Sequence, residues 1–516
     1  MKNYKGGIKM LLHQPLYDWA NRHPNKPAFH WVERDKTLTY AEAVEEVEAL
    51  AGALHSLGAA KGDRITIFAH NGMDYLLSML ATWRIGAISS LVNVKFADYL
   101  EEYLNDHTPR IVIYTHDKFE DVKRASGNLG SVKHLVCMDG SQDGAESLPE
   151  LLKAKLPAPS DPRNEDAIAH LSYTSGTTGK PKGACLAHEF TVCACACIAE
   201  RLQINSGEIS FGPTALSSSY QLVANLMPIL IVGGTCIVMK DWTPNTGFEA
   251  LENTKANIFV GNPTFLTDIL EQSRLRGKVP KNIRLGLSGG GPVPLALKIA
   301  WRDELKLPLV ESYGQSEIGG FFALGKPVLQ FDDSINAVGQ PLPDKEVRIL
   351  DSNDNELPIG QVGEVCMRGR FMKGYWNRPE QTNETLRNGW LHSGDVGLMS
   401  STNHLTMRGR TKELLQVSGK TWFPRDIEEE LIKIGDIREA AVIGLDLPEG
   451  GHRPVAFYSG SNNLSEAEIK SKINKLVPYD LSSLSISWIE TFPMTPTGKI
   501  AKAELRNIAI KEEVYI

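Results

Sequence analysis

Tyr173-Thr174-Ser175-Gly176-Thr177-Thr178-Gly179-Lys180-Pro181-Lys182-Gly183 is the stretch around which the chain is arranged. Four small hydroxyl side chains (Thr174, Ser175, Thr177, Thr178) stand among three glycines (Gly176, Gly179, Gly183) and two lysines (Lys180, Lys182). Glycines let the backbone come close to a ligand and leave N–H groups pointing at it. The hydroxyls add short donors, and lysine adds a mobile positive charge. That combination suits a polyphosphate. It is not the mononucleotide P-loop, whose spacing is Gly, four residues, Gly-Lys-Ser/Thr, because Pro181 follows Gly179-Lys180. A plain surface loop shares the composition; the length and order of the run favour phosphate binding.

On the N-terminal side, Val44, Val47, Leu50, Ala51, Leu54 and Leu57 recur on one helical face. Arg64–Ala69 then reads as a strand, Leu76–Trp83 as a helix and Arg110–Tyr114 as a strand. Helix and strand alternating with short polar breaks is the rhythm of a wound α/β domain with a largely parallel sheet. Pro157–Asn164, rich in proline and charge, is read as a connection between subdomains. Strand Ala167–Tyr173 delivers the loop, and an apolar helix is expected around Val192–Leu202.

On the C-terminal side, strand Ile283–Leu287 runs into Ser288-Gly289-Gly290-Gly291-Pro292, and Leu309-Val310 into Glu311-Ser312-Tyr313-Gly314-Gln315-Ser316-Glu317. Turns of this kind form sites beyond the carboxyl ends of parallel strands. From Ala337 the texture changes to short strands, such as Val347–Leu350 and Gly363–Arg368, typical of a small barrel or meander. Residues 1–411 are read as a large N-terminal domain of wound α/β subdomains plus that barrel-like part. Residues 412–516 are read as a small, mobile α+β C-terminal domain, of reasonable size for one.

Bulk properties bound the function. A chain of 516 residues is too long for one core. A net charge of −7 offers no basic excess to a nucleic-acid backbone. Seven cysteines, an odd count, argue against a disulfide framework and for a reducing compartment, with the cytoplasm as default. Cys193, Cys195 and Cys197 alternate with alanines, which suits buried thiols on a helix packed against the sheet better than metal ligation. The apolar run Leu222–Met239 contains Asn225, Pro228, Gly233 and Gly234, so it reads as a buried helix, a turn and a strand rather than a membrane span.

The order of these motifs resembles the acyl-adenylate-forming enzymes: acyl-CoA synthetases, aryl-acid ligases, firefly luciferase and the adenylation domains of peptide synthetases. The resemblance runs from about Leu38 to Arg506. It rests on Tyr173–Gly183, Glu311–Glu317, Ser393-Gly394-Asp395, Gly409-Arg410-Thr411-Lys412-Glu413 and Pro496–Lys499. It implies that Thr174, Ser175, Gly176, Thr177, Thr178, Gly179 and Lys180 hold the β- and γ-phosphates of ATP. Gly290, Gly291, Pro292, Glu311, Ser312, Tyr313 and Gly314 would then frame the nucleotide, with Tyr313 against adenine.

Further roles follow from the same resemblance. Ser316 would bond the α-phosphate, Glu317 would hold Mg2+, and Asp395 and Arg410 would take the ribose. Lys499 would bridge the substrate carboxylate and the α-phosphate. The second domain would turn about Lys412, with Ser418, Gly419 and Lys420 facing the coenzyme A channel. Ser218 and Tyr220, with Ser288 and Gly289, are the candidate acyl pocket, where small residues leave room for a bulky or ring-bearing acid unless other side chains fill the space.

The sequence departs from the family at Ser316 and Ser393, which replace threonines, at Asp426 for glutamate, and at Gln416 for lysine. The implied reaction is ATP- and Mg2+-dependent activation of a carboxylic acid, followed by transfer to coenzyme A. The alternatives are transfer to a carrier-protein phosphopantetheine, which needs a partner chain, or an inactive nucleotide or acyl sensor. A homodimer is compatible with the reading.

Overall fold

The computed structural model describes residues 9–174, 181–329, 335–435, 437–460, 464–495 and 500–513. Ser175, Gly176, Thr177, Thr178, Gly179, Lys180 and Lys499 lie outside them, so their proposed roles are not tested by the structure.

Two large sheets dominate. The first runs Glu146–Ser147, His134–Cys137, Ile111–Tyr114, Arg64–Phe68, Ile88–Leu91, β1 (Ile168–Thr174) and β2 (Lys182–Ala187). All its neighbours are parallel except the last pair. Strands such as Ile88–Leu91 and Ile111–Tyr114 are buried at every position, as expected where helices cover both faces of a parallel sheet.

The second sheet has nine strands. Its parallel centre includes Ile258–Gly261, β3 (Leu285–Ser288) and β4 (Leu309–Tyr313). The N-terminal strands Pro27–Trp31 and Lys36–Thr39 also belong here, Pro27–Trp31 lying parallel to Thr235–Val238. The chain therefore begins on one sheet, builds the other, and returns. Pro157–Asn164 precedes β1 within the first sheet, so it does not connect subdomains as its composition suggests. The crossing comes after β2.

One apolar cluster joins the two sheets, including Ile65 and Ile67 from the first and Val260 and Leu285 from the second. Helices Tyr40–Ser56, Met73–Arg84 and α1 (His188–Arg201) contribute to it. A capping box starts Tyr40–Ser56: the Thr39 hydroxyl accepts from Glu42 N–H and the Glu42 carboxylate accepts from Thr39 N–H. Cys193, Cys195 and Cys197 are buried thiols outside any disulfide. Helix α1 packs chiefly on helix Met227–Val232 and only secondarily on β1 and β2. Leu222–Met239 divides as read, into a buried helical stretch, the Gly233 turn and strand Thr235–Val238. Among the described residues no helix is long and apolar enough to cross a membrane.

The third sheet is antiparallel: Lys345–Leu350, β5 (Gly363–Gly369), β6 (Trp390–Met399), Leu386–Arg387, and β7 (Leu405–Arg410) paired to β6. It is the meander form of the expected region, since among the described residues no strand pairing joins its edges. Beyond it, the hairpin Leu415–Val417/Lys420–Trp422, helix α2 (Pro424–Ile432) and strands Ile437–Asp446, His452–Gly460 and Ser485–Trp488 build clusters whose buried members all follow Lys412. The predicted capping box at Ser465 and Glu468 opens helix Glu466–Ile473.

Candidate active site

The two ends of the run Tyr173–Gly183 lie on the antiparallel strands β1 and β2. Tyr173 pairs with Gly183 and Thr174 with Lys182, so β2 intervenes before α1. The returning strand is gripped from outside by residues 373–376 of the third-sheet region. Cys185 N–H donates to Gly374 O at 2.9 Å, Lys373 N–H to Cys185 O at 2.9 Å and Trp376 N–H to Gly183 O at 2.8 Å. Lys182 Nζ lies 5.0 Å from the centre of the Tyr375 ring, a cation–π contact.

Near the end of β1, Tyr173 is fixed by a buried polar chain. Its hydroxyl donates to Asp106 Oδ2 at 2.8 Å, and His107 Nδ1 is 2.9 Å from the Tyr173 hydroxyl oxygen. A phenol has one proton, so Nδ1–H is the donor to Tyr173. His107 Nε2 then accepts from Thr66 Oγ1 at 2.6 Å. Arg378 closes the chain on Asp106 Oδ1 at 2.6 Å. Burial, with Arg64 nearby, pushes the His107 pKa down to about 3. The ring stays neutral, as this bonding pattern requires.

The other candidate residues gather where β3 and β4 end. Tyr313 stacks on Phe322 with ring centres 5.0 Å apart and planes 16° apart. Its hydroxyl donates to Asp395 Oδ2 at 2.6 Å. Burial and that carboxylate hold the phenol pKa well above its ordinary value, so it serves as a donor. Gln315 Nε2 donates to Asp395 Oδ2 and to Ser393 O, both at 2.8 Å. Arg410 Nε lies 3.2 Å from Asp395 Oδ1. Burial opposes the Arg410 charge, but Asp395, Glu413 and Glu317 more than compensate, and its pKa is raised. The pairing Asp395↔Arg410 across β6 and β7 brings the two together.

Glu317 and Ser316 sit on the turn Ser316–Ile318 just past β4. Tyr375 donates to Glu317 Oε1 at 2.7 Å. Ser316 Oγ is 3.5 Å from Ser219 Oγ. Sequence reasoning chose Ser218 for the pocket; its hydroxyl instead accepts from Tyr220 N–H at 3.3 Å. It is Ser219 that reaches Ser316. Tyr375, Gln315, Phe322 and Ser219 were missed. Gly374-Tyr375-Trp376 before Arg378-Pro379 is a sequence signal that was available for the first of them.

Other candidates are engaged within the protein. Glu311 is buried at 4 % exposure, ion-paired with Lys298 and 3.9 Å from Arg425 Nη2. Ser312 is buried and donates to Ser288 O at 3.0 Å. Gly314 is glycine because a Cβ would come within 2.5 Å of Gly320 O and 2.9 Å of Phe321 Cδ1.

Neighbouring atoms already occupy the space beside two of the small residues of the acyl region. A Cβ on Gly289 would meet Ser312 Oγ at 2.3 Å and Tyr220 Cε2 at 2.8 Å, and one on Gly320 would meet Ala194 Cβ at 2.6 Å. Ser288 is fully buried, and the Tyr220 ring lies 5.9 Å from Phe321. Gly290 and Gly291, by contrast, face open space, and Gly290 has a φ of +77°.

Lys412 lies in the exposed turn Thr411–Glu413. Ser418 and Gly419, with φ of 49° and 75°, form the exposed two-residue turn of the Leu415–Trp422 hairpin, followed by Lys420. Gln416, where the family carries lysine, bonds Thr421 within the same hairpin at 3.0 Å. Asp426 keeps the expected charge and uses it, pairing with Arg408 Nη2 and accepting from Tyr479 Oη, each at 2.6 Å.

Two family models match the chain: AMP-binding enzyme over residues 16–376 and AMP-binding enzyme C-terminal domain over residues 426–499. The chain is 30 % identical to a feruloyl-CoA synthase of Amycolatopsis sp over 91 % of this chain and 93 % of that one. It is 29 % identical to 4-coumarate–CoA ligase 2 of Solanum tuberosum over 96 % and 93 %. Its fold superposes on the anthranilate CoA ligase AuaEII in complex with anthranoyl-AMP with a TM-score of 0.90, covering 99 % of each chain at 23 % identity.

Proposed function

The chain belongs to the AMP-binding enzyme family, and on that basis we propose that it is a carboxylate–CoA ligase acting on an aryl or arylacrylic acid. A carboxylate oxygen attacks the α-phosphorus of ATP and pyrophosphate leaves. The thiol of coenzyme A then attacks the acyl carbon and AMP leaves. The observation that carries the reading is the meeting of Tyr313, Glu317, Asp395 and Arg410, from distant stretches of sequence, at the carboxyl ends of β3 and β4. The acid class follows the names of the relatives, feruloyl-, coumarate- and anthranilate-CoA ligases.

In this reading the open turn at Gly290-Gly291 and Tyr313 receive the adenine, and Asp395 with Arg410 receives the ribose. Arg410 also faces the charge that builds on phosphate oxygens. Glu317 fits a Mg2+ ligand: it is a half-buried carboxylate bonded, among the described residues, by Tyr375 alone. Mg2+ takes one or two carboxylates and completes its shell with phosphate oxygens and water. When bound, it neutralises phosphate charge. Lys499 is assigned to the reacting carboxylate, and the Ser175–Lys180 run to the β- and γ-phosphates. Coenzyme A is preferred to a carrier protein as acceptor because these relatives are named as CoA enzymes.

A panel of cinnamic, benzoic and aliphatic acids, assayed for ATP-dependent pyrophosphate release with and without coenzyme A, tests this. Sustained turnover is expected with an aromatic acid only when coenzyme A is present, with loss of its free thiol. Sustained turnover with coenzyme A left unconsumed would overturn the acceptor. A response confined to aliphatic acids would overturn the acid class.

A further inference from the structure

The antiparallel pair β5–β6 carries a cluster that adenylation does not use. Cys366 and His392 are register partners across the two strands. Glu364 lies two residues before Cys366 on β5, and the alternation of a strand puts both on one face. Cys366 Sγ is 3.3 Å from His392 Nδ1, and Nδ1 is 2.9 Å from Glu364 Oε2. One ligand atom from each of the three lies within 4.8 Å of the others. Donor atoms sharing one tetrahedral zinc, bound at about 2.0–2.3 Å, are roughly 3–4 Å apart. Thiolate, imidazole and carboxylate together suit a borderline-soft cation and not Mg2+ or Ca2+, which take oxygen.

A second observation concerns the other ring nitrogen. Among the described residues His392 Nε2 has no hydrogen-bond partner, and its side chain is only 3 % exposed. The nearest charge is Asp354 Oδ1 at 3.8 Å. If Nδ1–H donates to Glu364, the neutral ring leaves Nε2 as a bare acceptor facing an anion, which is costly in a buried place. A metal on Nδ1 moves the ring proton to Nε2, pointing it at Asp354. That is the carboxylate–histidine–metal arrangement. Arg387 Nη2, 3.3 Å from Asp354 Oδ1 and 3.6 Å from Glu364 Oε2, balances the remaining charge. Glu364, 22 % exposed, gives the route in.

We propose that Glu364, Cys366 and His392 form a site for a zinc-class divalent cation that pins β5 to β6, three residues before Asp395. On binding, the Cys366 thiol proton passes to solvent and the sulfur, Nδ1 and a Glu364 oxygen each bond the ion. Water takes the fourth position.

Cobalt(II) titrated into the chelator-treated full chain tests this. The wild type is expected to show thiolate-to-cobalt charge-transfer absorption that saturates at one ion per chain and is bleached by zinc. Cys366→Ser should abolish the band, and Glu364→Gln, on the solvent edge, should weaken cobalt binding at least about tenfold. Absence of a saturable band in the wild type would overturn the proposal. A band unchanged in Cys366→Ser would place the metal on another cysteine and also overturn it.

Discussion

Asp395 holds Tyr313, Gln315 and Arg410 with one carboxylate. Asp395→Asn keeps its size and removes the charge. Hydrogen bonds to a charged group contribute about 1.5–3 kcal/mol, so the KM for ATP is expected to rise about ten- to hundredfold. An unchanged KM in steady-state kinetics would remove Asp395 from the nucleotide site. The glycines of the Ser288–Pro292 turn make a paired test. Gly289→Ala forces its Cβ onto Ser312 and Tyr220, and overpacking of this kind costs about 1–3 kcal/mol, read as a lower urea midpoint. Gly291→Ala meets nothing within 4 Å and should leave the midpoint unmoved, so a raised KM for ATP there would come from the ligand alone.

The hairpin β1–β2 depends on groups far apart in sequence: Thr66, Asp106, His107 and Arg378 around Tyr173, and residues 373–376 along β2. Burial lowers the pKa of His107 to about 3, of His170 to about 4 and of His188 to about 3. Unfolded histidines take a proton near 6.5. The unfolded chain therefore binds more protons at mildly acid pH. The stability these neutral rings contribute is complete above about 6.5 and is lost as pH falls toward about 4. Each contributes a limiting loss of about 1.4 kcal/mol per pH unit. Urea unfolding from about pH 7.5 to about pH 5 should show this slope, and His170→Gln should make it shallower. A slope identical in the variant would assign the acid sensitivity to other groups.

At the scale of the whole molecule, three ion pairs among the described residues cross the turn at Lys412: Arg408–Asp426 at 2.6 Å, Glu311–Arg425 at 3.9 Å and Glu271–Arg438 at 3.9 Å. Glu311 is thus shared between the site-bearing strand β4 and helix α2. If the second domain turns between the half-reactions, these pairs hold one of its two orientations. Arg408→Ala with Arg425→Ala should change adenylation and thiolation by different factors, and Lys412→Pro, which stiffens the turn, should slow thiolation more. Stopped-flow pyrophosphate release and coenzyme A consumption separate the two steps. Equal loss in both variants would count against rotation about Lys412.

The wound α/β architecture and the chemistry were legible in local sequence. Buried parallel strands read as apolar runs, and Tyr173–Gly183 and Glu311–Glu317 are contiguous, so their composition carries their meaning. Contacts between distant stretches were not legible. Nothing near Glu311 announces Lys298 or Arg425, nothing near Glu317 announces Tyr375, and the same hydroxyl serves whether Ser218 or Ser219 reaches Ser316. A glycine reads alike whether it faces open space, as at Gly291, or makes room for a neighbour, as at Gly289. Residue type and spacing determine which groups are available and which local conformations they favour. Which of them meet, and which are already spent on one another, is decided by side-chain volume and charge pairing across the packed sheets.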